Sequence, residues 1–265
     1  MKAEGRLPWG ALGRTLSVIC LAALSQACAS PPASERHALI GQMLESSVQL
    51  FTERDGGGRR AGSAVILSLD DDGSTLLTTA HTLVPQVEQS LFIVAPPGKT
   101  RVGAEILAID EERDLALLKT SLSTGQATDL SDGAYLVDPV WVAAFPWGRE
   151  RTVINGAVSQ IHERDDTSGA AAIYGPVRMI DASVSYGMSG GGVYDSESGD
   201  LIGLVRGYRT AHLSLDSSSA PLKLPVAGET TVVSTHDIAC FLETEGRQDL
   251  MPERLKTTLE AWPCT

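Results

Sequence analysis

Three side chains in this sequence are of the types that one reaction requires. His81 directly follows the apolar run "LLTTA", Asp114 stands at the head of "LALLK", and Ser189 sits inside "GMSGG". A serine hydroxyl is a weak nucleophile at neutral pH. It attacks a carbonyl only when an imidazole takes its proton, and a carboxylate must orient that imidazole and stabilise its charged form. Each residue alone is unremarkable, since a histidine after a strand is usually structural and an aspartate before one usually belongs to a turn. The glycines are more telling. "SYGMSGGGVYD" (185–195) packs Gly187, Gly190, Gly191 and Gly192 around Met188 and Ser189, between an aromatic and an apolar flank. "RDGGGRR" (54–60) has three glycines between charges and reads as a solvated turn.

The surrounding elements read as short strands. "SAVILSL" (63–69), "STLLTTA" (74–80), "SLFIVA" (90–95), "RVGAEILAI" (101–109) and "LALLKT" (115–120) form a first β-rich set, with "DDDG" and "PPGK" as turn chemistry. The polar stretch 121–134 interrupts it. A second set runs through "VWVAAF" (140–145), "TVINGAVSQI" (152–161), "AIYGPVRMIDAS" (172–183), "LIGLVRGY" (201–208) and "TTVVS" (230–234). Helical signals appear at 35–47 and near the C-terminus, where Ser234 or Thr235 can cap "HDIACFLE" and Pro252 suits the first turn of "PERLKTTLEAW". The expected fold is all-β: two six-stranded antiparallel β-barrels with a C-terminal helix. The expected segments are an export signal at 1–29, a tether or short helix at 30–45, a first barrel at 46–122, a linker at 123–139, a second barrel at 140–234 and a helical tail at 235–265.

In this order the segments resemble the chymotrypsin-fold serine peptidases, specifically the bacterial high-temperature-requirement (HtrA) branch. "GSAVILS" before "LLTTAH" is similar to that branch's first hairpin, and "AEILAIDEERDLALLK" to its aspartate segment. "VAAFPWGRERTVINGAVSQI" resembles the opening of its second barrel. "MIDASVSYGMSGGGVYDSESGDLIGLVRG" resembles its nucleophile region, and "TTVVSTHDIACFLE" the closure into the C-terminal helix. The resemblance spans roughly residues 46 to 243. It implies Ser189 as nucleophile, His81 as general base and acid, and Asp114 as the orienting carboxylate, with Asp110 the weaker candidate. It implies an oxyanion hole made by the backbone N–H groups of Gly187 and Ser189. That would be the purpose of the glycines around Ser189.

Several positions depart from the pattern. Gly192 stands where the family usually has proline, which is expected to loosen the turn slightly. Met188 replaces the aspartate that pairs with a freed N-terminus in digestive peptidases, so activation of that kind is not expected. Ser183 falls where trypsin-like pockets hold an aspartate, which argues against Lys or Arg at the cleavage position; Val205 and Gly207 are the other pocket candidates. Arg206 reads as a solvent-exposed charge or as a contact for acidic substrate positions. The segment 210–230 is long for a hairpin and reads as a surface loop. His162, His212 and His236 show no pairing or metal spacing. Many members of the branch append a PDZ domain, and regulation by one in cis is not expected here.

Residues 1–29 have the marks of an export signal: Lys2, Arg6 and Arg14 before "LSVICLAAL" (16–24), then a small-x-small site at 27–29. "SQAC" also resembles a lipobox, which makes Cys28 a lipidation candidate. The formal charge is −12. The leader carries +2, from Lys2, Arg6 and Arg14 against Glu4, so the remainder stands at −14. No basic stripe suited to nucleic acid remains. Of four cysteines, Cys240 and Cys264 lie outside the leader and could form a disulfide in an oxidising compartment. No metal or cofactor is implied. The expected partner is a protein or peptide substrate, in the periplasm or cell envelope, with a membrane tether through Cys28 as an option. The alternative is a protease-fold binding module of the envelope that has lost turnover or lies latent.

Overall fold

The computed structural model describes residues 33–54, 57–83, 89–95, 100–162, 172–213 and 222–264. The export signal, Cys28 and the "PPGK" turn lie outside the described residues. The chain divides into two units, residues 1–37 and residues 38–265, and the second carries every strand.

Helix α1 (Ala33–Ser46) leads into β1 (Ser47–Arg54), β2 (Arg59–Asp70), β3 (Gly73–Thr78), β4 (Gln89–Val94), β5 (Arg101–Asp110) and β6 (Leu115–Thr120). These close into an antiparallel barrel in the order β1-β2-β3-β6-β5-β4. Two-residue strands β7 (Ala134–Tyr135) and β10 (Tyr174–Gly175) pair with each other. The second closed barrel contains β8 (Pro139–Ala144), β9 (Thr152–Ile161), β11 (Val177–Asp181), β12 (Gly192–Asp195), β13 (Leu201–Leu213) and β14 (Leu222–Ser234), in the order β11-β14-β13-β12-β8-β9. Helices α2 (Thr235–Thr244) and α3 (Glu253–Ala261) follow. Closure leaves neither six-stranded sheet with an edge, which suits an antiparallel fold made of short strands.

Several strands are continuous apolar runs because they are buried on both faces. In β6, Ala116 and Leu118 fill the first barrel, while Leu115 and Leu117 point outward into a separate core. β3 divides in the same way, with Leu76 inside and Leu77 outside. In β13, Ile202 and Val205 fill the second barrel while Leu201 and Leu204 join the outer core. That outer core draws on both barrels and is completed by Ile238 and Phe241 of α2 and Leu255 of α3. Strand period 2 delivers alternate side chains of β3 and β6 to two cores at once, and in β13 an irregularity between Leu201 and Gly203 shifts the phase by one residue. Each fully buried aliphatic side chain contributes about 1.5–3 kcal/mol. Two of these strands flank the candidate residues: β3 ends just before His81 and β6 begins just after Asp114.

The segment 210–230, expected as a loop, is largely strand. β13 runs on to Leu213 and β14 begins at Leu222, with pairs from Thr210↔Pro225 to Leu213↔Leu222. Leu213, Leu222 and Leu224 occupy alternating positions of the arm yet stay exposed, so its hydrogen-bonded pairing, not burial, is what keeps it extended. Ser234 caps α2 in a reciprocal box, its Oγ accepting the Asp237 N–H at 3.1 Å while Asp237 accepts the Ser234 N–H at 3.2 Å.

Candidate active site

His81 sits in a single 3-10 turn, Ala80–Thr82, at the end of β3. The Thr82 N–H and hydroxyl both return to the Thr79 carbonyl, at 3.2 and 2.7 Å, which tightens the turn. Asp114 lies before β6 in the left-handed region, φ 60°, a conformation that aspartate tolerates better than most residues. Its carbonyl accepts the Ala80 N–H at 3.1 Å. Its side chain is 8% exposed and accepts the His81 backbone N–H at 2.9 Å on Oδ1. His81 Nδ1 lies 2.8 Å from Oδ2 and 3.1 Å from Oδ1. An ionised carboxylate can only accept, so Nδ1 carries the proton and Nε2 keeps its lone pair.

Asp110 does different work. It accepts the N–H groups of Glu112 at 3.0 Å and Arg113 at 2.8 Å, and its Oδ2 holds the Arg113 guanidinium at 2.8 Å. Burial pushes its carboxyl up, but the Arg113 and Glu112 donors outweigh this and hold it below the ordinary carboxylate range. Asp110 therefore pins the turn that presents Asp114.

Ser189 stands across the cleft on the turn before β12, and the first barrel braces it through one residue. Ser63 of β2, fully buried, donates its N–H to the Ser189 carbonyl and its hydroxyl to the Gly187 carbonyl, both at 2.9 Å. Its Oγ also accepts the Phe145 N–H at 2.9 Å. Gly190 (φ 81°) lies so close that an added Cβ would come within 2.2 Å of the Ser63 carbonyl. Behind the turn, Val205 accepts the Gly190 N–H at 2.9 Å and donates to the Gly191 carbonyl at 2.8 Å. Met188 is buried in the core of the second barrel.

The orientation of the Tyr186–Gly187 peptide follows from one bond. Trp147 donates its N–H to the Tyr186 carbonyl at 2.7 Å. A trans peptide points its C=O and N–H in opposite directions, so the Gly187 N–H faces away from Trp147. Among the described residues, neither the Gly187 nor the Ser189 N–H is taken by a protein acceptor. Trp147 holds this position at φ 57°, with its ring 5.3 Å from that of Tyr186. Gly187 itself is at φ 88°, and a Cβ there would lie 2.7 Å from the Trp147 nitrogen.

Arg206 of β13 closes the far side. The Ser189 hydroxyl donates to its carbonyl at 3.3 Å, and no bond from Ser189 to His81 is formed among the described residues. The Arg206 guanidinium reaches back to Asp114, Nε to Oδ2 at 3.3 Å, with its side chain half exposed.

The model of the trypsin-like peptidase domain family matches residues 62–204, more than half of the chain and the whole stretch from Ser63 to Leu204. The chain belongs to that family. Relatives of this peptidase domain include the magnetosome formation protease MamE of Paramagnetospirillum magneticum, 30% identical over 148 residues, covering 54% of this chain and 19% of that protein. A probable periplasmic serine endoprotease, DegP-like, of Halomonas elongata is 29% identical over 151 residues, covering 55% of this chain and 29% of that protein. The chain thus spans less than a third of the length of either relative. In fold it is similar to the HtrA-type protease AlgW with tripeptide, at a TM-score of 0.58 and 23% identity, covering 81% of this chain and 64% of that one.

The peptidase domain treats the remaining sequence candidates unequally. Ser183 is exposed, whereas Val205 is 1% exposed with both backbone groups bonded to the turn that holds Ser189, so it supports that turn. Gly207 pairs with Thr231 at a β-bulge. Gly192 does not loosen the turn. It lies in β12, and a Cβ there would strike the ring of buried Tyr194 at 2.4 Å, whose hydroxyl bonds Ser46 Oγ at 2.8 Å. Cys240 and Cys264 are brought to bonding distance, Sγ to Sγ 2.09 Å. His236 packs beside them, Nε2 2.8 Å from the Trp262 carbonyl. Ser63, Trp147 and the Asp114 contact of Arg206 carried no sequence signal beyond the "GSAV" and "PWG" spacing.

Proposed function

We propose that this chain is an exported serine endopeptidase that cleaves peptide bonds through an acyl-enzyme, with His81, Asp114 and Ser189 as its triad. The observation that carries the reading is the bidentate approach of His81 Nδ1 to the Asp114 carboxylate. It leaves Nε2 as the ring nitrogen that would take the Ser189 proton.

Turning Ser189 about χ1 from the Arg206 carbonyl toward His81 Nε2 readies the hydroxyl for attack. Oγ then bonds to the scissile carbonyl carbon as its proton passes to Nε2, and the carbonyl π-electrons move to oxygen. The N–H groups of Gly187 and Ser189 receive that oxyanion. Collapse expels the amine, which takes the proton from His81 and leaves an ester on Ser189. Water, deprotonated by His81, releases the acid and restores the hydroxyl. Asp114 keeps the imidazole in register and stabilises its cationic form throughout.

Export is supported by the leader pattern at 1–29, by the Cys240–Cys264 pair, which an oxidising compartment would keep closed, and by a relative named as periplasmic. Cys28 is where a lipid anchor would attach. The substrates are proteins or peptides, and the neutral Ser183 argues against Lys or Arg at the cleavage position. One observation favours a resting, latent form: the Ser189 hydroxyl lies on the Arg206 carbonyl and not on His81. Fluorophosphonate labelling of the purified chain tests the proposal. Labelling at Ser189 that is lost in Ser189→Ala and His81→Ala supports it, and a folded parent that never labels refutes turnover.

A further inference from the structure

This acidic chain gathers cations in one place. A cleft of about 700 Å³ is lined by Arg113, Arg178, Arg206 and Arg209, against only two carboxylates, Glu112 and Asp237. Asp237 is committed to Ser234, whose hydroxyl lies 2.6 Å from it. Arg113 is held by Asp110. Arg209 reaches Glu229 at 3.6 Å with both side chains largely solvated, a weak pair. Arg178 makes no ion pair among the described residues. Like charges set around a concave site raise its affinity for an anion. Met179, Val232 and Val233 form a floor of buried side chains, so the cleft recognises charge, and successive carboxylates along a polypeptide can engage several of its guanidiniums at once where a small inorganic anion cannot.

We propose that this cleft binds an acidic segment of polypeptide, and that its occupancy is relayed to Asp114 through Arg206. The relay rests on the peptidase reading above; the binding site does not. Arg206 lines the cleft and also bonds Asp114. A carboxylate entering the cleft competes for that guanidinium. Once Arg206 leaves, Asp114 no longer shares its charge with a cation, and its full charge is available to the imidazolium that forms at His81. Arg206 is thus a positioning residue that restrains the site until an acidic segment binds.

The test uses a short fluorescein-labelled peptide that alternates Glu with Val, and its Gln counterpart. Anisotropy with the Ser189→Ala chain should show binding of the Glu peptide at least about tenfold tighter than the Gln peptide, weakened at least about tenfold by joint Arg178→Gln and Arg209→Gln. In the parent, the Glu peptide should speed fluorophosphonate labelling about three- to tenfold. Arg206→Gln should label at the accelerated rate without peptide and should not respond to it. Equal binding of both peptides, or indifference to the double substitution in a chain of unchanged melting temperature, overturns the site. Displacement by inorganic phosphate at equal concentration overturns the polypeptide assignment. An Arg206→Gln chain that still responds like the parent overturns the relay. Intact binding with no labelling in any variant removes the peptidase reading and keeps the site.

Discussion

Ser63 of the first barrel holds Gly187 of the second through a hydrogen bond of 2.9 Å from its hydroxyl. The same hydroxyl oxygen accepts the Phe145 N–H, so one buried side chain links β2, the end of β8 and the turn that holds Ser189. Ser63→Ala strips both bonds and strands the Phe145 N–H in a dry site, at a cost of about 1–3 kcal/mol. A lower melting temperature is expected, with labelling slowed about tenfold. Unchanged labelling would mean that the turn stands without Ser63.

Gly187 faces a stricter constraint. At φ 88°, with the Trp147 nitrogen 2.7 Å and the Phe145 carbonyl 2.8 Å from an added Cβ, it has no room for a side chain. Gly187→Ala must displace the peptide whose N–H is the proposed oxyanion donor. Labelling or turnover should fall about 10²–10³-fold, the usual effect of losing one such donor. The control is retained binding of a noncovalent peptide.

The Asp110 carboxylate, held below its ordinary range, makes stability depend on pH. Because its folded value is depressed, its contribution is present above the unfolded value of about 3.9 and is lost as pH falls through the folded value. Asp110→Asn should therefore lower the melting temperature by about 2–4 °C at pH 7. The gap between variant and parent should close as pH drops below that of the folded carboxyl. Melting curves across an acid series check this, and a gap of constant size would show that the charge is irrelevant.

Cys240 and Cys264 tie the tail after α3 back to α2, closing a loop with a sequence separation of 24. Opening it by reductant or by Cys264→Ser should reduce stability by about 3 kcal/mol. Denaturation of parent and variant, each with and without reductant, measures this. The reduced parent should match the variant.

Much of this molecule was legible in the residue types. Short β-branched and aliphatic runs separated by Asp, Gly and Pro turns point to an antiparallel all-β fold, sandwich or barrel. Ser234 or Thr235 before "HDIACFLE" marks a helix start by local chemistry, and the structure makes Ser234 the cap. Histidine after a strand, aspartate before one and serine among glycines are each weak signals, and they suggested the proposed triad only through the order in which their segments resemble the serine peptidases. The arm at 210–230 was misread because its polar composition resembles a loop, while its strand character comes from pairing across the hairpin.

What the residue types could not convey depends on distance between segments remote in the chain. Whether Asp110 or Asp114 meets His81 is decided by the turn between β5 and β6, which places Asp114 at φ 60° and turns Asp110 to Arg113. Gly192 reads as slack until the ring of Tyr194 is set against it. Arg206 reads as a surface charge until barrel closure brings β13 beside the Asp114 turn. Local sequence determines which conformations and which chemistry are available. The packing of the two barrels decides which charges meet, because Coulomb and hydrogen-bond energies depend on separations of a few ångströms that only tertiary structure sets.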